Sequence, residues 1–162
     1  MTKGLNRILN AIDVITERAG KMSSVIILIL MLTIAFEVAA RYLFNRPTSW
    51  VWPIGRQLFG VYILFGGVYA LLRGKHIRID LIYTFFPTRL KRVAKVITLA
   101  SIVIFLGVLV WQASWMGWNS FTSGETGSVA FPIPIYPLKM LIPVGAFLFL
   151  LQGIVGFIRG RY

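Results

Sequence analysis

Four long stretches in which almost every position is apolar divide the chain: residues 22–44, about 51–72, about 93–115 and about 138–158. At about 1.5 Å of rise per residue, each is long enough as a helix to cross the roughly 30 Å hydrocarbon core of a bilayer. The pattern predicts an all-α integral membrane protein, a single domain over 1–162 with four transmembrane helices. Ahead of the first run the pattern changes. Leu5, Ile8, Leu9, Ile12, Ile15 and Ala19 recur at helical spacing, while Lys3, Arg7, Asp13, Glu17 and Arg18 mostly take the other side. Residues 1–20 are therefore expected to form an amphipathic helix lying in the headgroup region. A cleaved signal peptide is not expected. The apolar run that follows is too long for its core, and no small-residue cleavage site stands out.

The connections differ in character. Residues 45–49 form a short polar turn in which Pro47 cannot continue a helix. Trp50 and Trp52 follow, at a level where interfacial aromatics are favoured. Between spans two and three, Arg73, Lys75, Arg78, Arg89, Lys91 and Arg92 alternate with Leu81, Ile82, Phe85, Phe86 and Leu90, with Lys95 just beyond. This reads as a second, short surface helix ending near Pro87. Residues 116–137 are rich in Gly, Ser, Thr and Pro and read as a loop, with Pro132, Pro134 and Pro137 opposing a regular helix.

Composition adds direction to this picture. The net charge is +12, from 17 Lys and Arg against 5 Asp and Glu, and 57% of residues are hydrophobic. In a soluble protein such a charge would point to nucleic acid. Here the cations cluster just outside the apolar runs, so topology and anionic headgroups explain them, and no RNA-binding motif occurs. Four cations precede span one, seven lie between spans two and three, and two follow span four. Only Arg46 and Lys139 fall on the opposite side. The positive-inside rule therefore places both termini in the cytoplasm. The absence of cysteine removes disulfides, thiolate metal sites and cysteine nucleophiles.

Few residues could carry chemistry. Glu37, Arg41, Arg56 and Gln57 are strongly polar groups well inside the predicted spans. Glu37 and Arg41 are four apart and can pair along one helix face. Such groups mark either a translocation path or a structural charge cluster that locks spans one and two together or onto a partner. A path normally needs more polar residues and broken helices near the midplane, so the structural reading is preferred. Gly66, Ala70 and Gly74 form a small-residue row, as do Gly156 and Gly160, suited to packing within a four-helix bundle or to docking another membrane subunit. His76 stands alone, with Asp80 four residues on, which argues against a metal site. No nucleophile motif, P-loop or GxGxxG occurs, so no enzyme activity, catalytic residue or cofactor is expected.

Three segments together resemble a known family. RYLFNRPTSW (41–50) leads into a span ending YALLRGKHIRIDLI (69–82), and PIPIYPLKMLIPVGAFLFLLQGI (132–154) closes the chain. In order and spacing they resemble the small membrane subunit, DctQ-like, of tripartite ATP-independent periplasmic (TRAP) transporters. The matching positions are Arg41, Tyr42, Phe44, Asn45 and Pro47, then Gly74, His76, Ile77, Ile79 and Asp80. One feature departs: many relatives carry a Glu soon after the first outward Trp, where this chain has WVWPIGRQ (50–57). The resemblance implies a scaffold in the bacterial inner membrane. Its partners would be a large transmembrane subunit holding the substrate and sodium sites, and a periplasmic substrate-binding protein that delivers an organic acid. Membrane lipids are the remaining expected partner. The competing readings are a stand-alone four-helix channel and a membrane anchor of an enzyme complex. A channel wants a polar stripe along a span, and a haem anchor wants histidines inside spans; neither is present.

Overall fold

The computed structural model describes residues 3–74, 87–127 and 132–159, and in them the chain is four helices. They are α1 (Lys3–Tyr42), α2 (Val51–Leu72), α3 (Thr88–Thr122) and α4 (Tyr136–Ile158). Each contains a window long and apolar enough to cross a membrane. The expected all-α membrane fold with four spans is therefore present, and α2 has the limits read from the sequence.

The other limits need correction. The predicted surface helix over 1–20 and the first span are one continuous helix of 40 residues, about 60 Å long. The change from mixed to apolar sequence near residue 21 alters what surrounds the helix but gives the backbone no reason to stop. No proline lies between Lys3 and Tyr42, and the Ser23 hydroxyl is satisfied within the helix by donating to the Ala19 carbonyl at 2.9 Å. One buried line unites the two halves: Leu9, Thr16, Ser23, Leu30 and Glu37, each seven residues from the next. A repeat of seven keeps one face of a helix on its neighbour over many turns.

Likewise, α3 begins five residues earlier and ends seven residues later than the 93–115 expected. The segment from Met116 to Thr122 is helix, not loop. Its single Gly117 is tolerated, and Ser114 and Thr122 return their hydroxyls to carbonyls of the preceding turn. Pro137 lies in the first turn of α4, where its missing N–H removes no helix bond. The short surface helix expected between spans two and three, with His76 and Asp80, falls mostly on 75–86, outside the described residues.

The helices do not close into a bundle. α1 packs on α2, α2 on α4, and α4 on α3, while α1 reaches α4 less extensively and α3 has no substantial contact with α1 or α2. The result is a bent row in the order α1, α2, α4, α3, with α1 also touching α4 at the end that holds Thr16 and Gln152. Close approaches hold it. A Cβ at Gly20 would overlap the Tyr69 ring between α1 and α2, and one at Gly145 would overlap Leu64 between α4 and α2. One at Gly117 would lie 3.0 Å from the Lys139 carbonyl oxygen. Most large apolar side chains of α1 and α3 are exposed, as expected when lipid or a partner is the solvent.

Candidate functional site

Polar side chains gather at the two ends of the row. At one end, the last turn of α1 leads into the turn to α2. Glu37 is 2% exposed. Its Oε1 accepts from Arg41 Nη2 at 2.7 Å, and its Oε2 accepts from the Thr48 backbone N–H at 3.1 Å and from the Thr48 hydroxyl. Asn45 takes the left-handed conformation, φ 53°, which Asn tolerates better than most side chains. The Arg46 N–H bonds the Ala40 carbonyl at 2.9 Å, and Trp50 lies on Phe36 with ring centroids 6.1 Å apart. The motif over 41–47 is thus a folded turn with the Glu37 carboxylate at its centre.

Of the four polar residues singled out in the spans, Glu37 and Arg41 meet, and the other two do not join them. Arg56 is exposed and makes no hydrogen bond or ion pair among the described residues. Gln57 donates to the Pro134 carbonyl at 3.1 Å and so ties α2 to the loop before α4. That loop is clasped by Lys139 Nζ on Glu125 Oε2 at 2.5 Å and by a bridge between Thr126 and Pro134. The Lys139 ammonium holds the Glu125 carboxyl below the usual carboxylate range.

The other end, where α1 begins and α4 ends, holds a network that the sequence did not reveal. Gln152 of α4 is fully buried. Its Oε1 accepts from Thr16 Oγ1 at 3.2 Å, and its Nε2 donates to Asp13 Oδ1 at 3.0 Å. Asp13 Oδ2 pairs with Arg159, whose Nη2 donates to Asn10 Oδ1 at 2.6 Å. Glu17 pairs with Arg73 at the end of α2 at 3.0 Å and with Lys21 at 3.3 Å. Arg73 also donates to the Tyr69 hydroxyl at 3.1 Å. The seven-residue spacing from Leu9 to Glu37 was the available signal, since it puts Thr16 on the buried line.

Each carboxylate among the described residues is therefore ion-paired, and each pair ties one part of the chain to another or rigidifies a turn. Between the ends the buried face of α1 is apolar: Leu30 is the buried residue between Ser23 and Glu37. No group of three metal-ligating side chains occurs among the described residues. The small-residue row on α2 does not mediate close packing here. Only Tyr62 of its own helix lies within 4 Å of a Cβ at Gly66, Ala70 is half-buried, and Gly74 is past the helix end at φ 65°, where glycine is favoured.

Comparison with known proteins accords with this architecture. No solved structure matches the chain. Among curated proteins it is similar to the C4-dicarboxylate TRAP transporter small permease protein DctQ of Vibrio cholerae serotype O1, 28% identical over 106 residues. The aligned part is 63% of this chain and 45% of that protein, so it spans under half of the relative's length. Residues 30–161 match the DctQ component of tripartite ATP-independent periplasmic transporters. That range takes in the Glu37 turn, Gln152 and α2 to α4 entire, and the chain belongs to the DctQ family of TRAP transporter small membrane components.

Proposed function

We propose that this chain is the scaffold subunit of a sodium-coupled, binding-protein-dependent secondary transporter for organic acids. It would support a large membrane subunit that carries the substrate, with a periplasmic protein delivering it. The name of the Vibrio cholerae relative favours C4-dicarboxylates as that substrate class. The observation that carries the reading is the distribution of polarity. A carrier needs polar groups and interrupted helices near mid-depth. Here the paired carboxylates sit at the ends of the row and the middle is apolar. Glu37 serves to fold a turn, and its oxygens are already taken by Arg41 and Thr48.

The test is uptake of a labelled C4-dicarboxylate into vesicles under a sodium gradient. The subunit alone should give none, and the subunit with its large partner and binding protein should give uptake. In that complex Glu37→Gln should lower the melting temperature by several degrees and leave the sodium concentration for half-maximal uptake unchanged. Transport by the isolated subunit would refute the scaffold reading. Intact stability with a shifted sodium response would move Glu37 into the transport mechanism.

Orientation belongs to the same proposal. The cations favour an inner-membrane protein with both termini in the cytoplasm and the 45–50 turn outside. Reporter fusions after Tyr162 and within 123–127 should give opposite signals. Matching signals would overturn this topology.

A further inference from the structure

α3 meets the rest of the chain along one side, where Leu106, Ala113, Gly117 and Ser120 are buried. At 100° per residue the opposite side carries Ile104, Val108, Trp111, Trp115 and Trp118, between 55% and 73% exposed. Their steps of three and four residues form a seam of the kind that faces another helix. Gln112 flanks this seam, one turn after Val108 and one turn before Trp115. It is exposed on the outer surface of the row, not between its helices, and its amide makes no hydrogen bond among the described residues.

Depth makes that amide unusual. Gly117 lies beside Lys139 and Met140, and Gly153 lies beside Ile102, so α3 and α4 run antiparallel. Gln112, between Ile102 and Gly117, is then about level with Val144. That is about 12 Å from the first residue of α4 and about 20 Å from its last. A glutamine side chain cannot span the shorter distance. It also leans towards the start of its own helix, which for α3 means away from the nearer surface. Hydroxyls on these helices escape the problem by returning to carbonyls of the preceding turn, Ser114 to Val110 and Thr33 to Ile29, both at 2.7 Å. A primary amide brings two donors and an acceptor, and acyl chains satisfy none of them. Trp111 adds to the case. Indoles favour the interfacial belts, yet Trp111 lies beside Gln112 near mid-depth and is 73% exposed.

We propose that this face of α3 docks a transmembrane helix of the large membrane subunit. That helix would carry small residues opposite Trp111 and Trp115, and a hydroxyl, amide or free carbonyl opposite Gln112. The assignment rests on the scaffold reading above and adds to it the face by which the scaffold is joined. Lipid would cover the seam but leave the amide unmet. A second copy of this chain would set the same indoles against one another, whereas helix pairs in lipid approach through small residues.

The experiment expresses the tagged chain together with the large subunit and measures how much of the large subunit it captures from detergent-solubilised membranes. The parent should capture it. Gln112→Leu should capture about three- to tenfold less, the range that one interhelical hydrogen bond spans in lipid. Gln112→Asn, which keeps the amide on a shorter stem, should recover part of the loss. Alone in detergent, Gln112→Leu should melt no lower than the parent, because the amide has no partner within the described fold. A photoreactive benzophenone side chain in place of Trp111 should give an adduct with the mass of this chain plus the large subunit. Undiminished capture by Gln112→Leu, or adducts only with lipid or with a second copy, would overturn this face as the docking site while leaving the scaffold reading intact. Failure of the parent itself to capture the large subunit would overturn the scaffold reading, and the face with it.

Discussion

Gly117→Leu is expected to pry α3 away from the rest of the protein. A Cβ at 117 would lie 3.0 Å from the Lys139 carbonyl oxygen, 3.3 Å from its carbon and 3.4 Å from the Met140 Cα. All three are backbone atoms of α4, so no side chain can swing aside to make room. Overfilling a packed contact costs about 1–3 kcal/mol, and more where the surroundings cannot relax. Among the described residues α3 has α4 as its one substantial neighbour, so its place depends on that contact. Gly107→Leu on the same helix is the control, because nothing lies within 4 Å of its Cβ position. The chain contains no cysteine, which makes cross-linking clean. Ile102→Cys with Gly153→Cys should bridge α3 to α4 in the parent and fail to do so with Gly117→Leu. If Gly117→Leu melts and cross-links as Gly107→Leu does, α3 is held by something other than this close approach.

The second large effect is expected at the opposite end. Gln152→Leu keeps the volume of a fully buried side chain and removes both of its hydrogen bonds. The Thr16 hydroxyl loses its acceptor away from water, and one oxygen of the partly exposed Asp13 loses a donor. A buried polar group left without its partner costs about 1–3 kcal/mol. Asp13 keeps Arg159, so the cost should come mainly from Thr16, and the loss should fall in the lower part of that range. A double variant tests this. Thr16→Val with Gln152→Leu removes both ends of the bond and should recover part of the lost melting temperature, because an apolar pair of similar shape is nearly neutral. Destabilisation that simply adds in the double variant would mean that the Thr16–Gln152 bond contributes nothing of its own.

The contrast between these two sites shows what a single sequence reveals in a membrane protein. The four spans were legible because lipid demands long apolar runs, and α2 was legible to the residue because Pro47 and Gly74 stand just outside its ends. The continuity of α1 was not. Charged and apolar stretches differ in surroundings, yet a helix ends only where the backbone has a reason to end, and none exists near residue 21. The extension of α3 through Thr122 was hidden for a related reason: Gly117 reads as loop composition, although its missing side chain is what lets α4 come close. Glu37 and Arg41 were legible as a pair because four residues separate them. Thr48, eleven residues from Glu37, was not, since only the fold of the turn brings its N–H back. Gln152 sits alone in an apolar run, and its partners are more than 130 residues away in the chain. Arg56 drew attention by its place in a span, but position along a helix does not say which way a side chain faces.

The row of helices also has a mechanical consequence. Because α3 packs on α4 alone among the described helices, the four helices are spread wider in the membrane plane than the same helices packed two by two. A square bundle turns in the bilayer like a peg. A plank must sweep lipid aside along its whole breadth to rotate about the membrane normal or to tip sideways. Anything fastened along this protein's flank acquires that resistance, as a hull does from its keel.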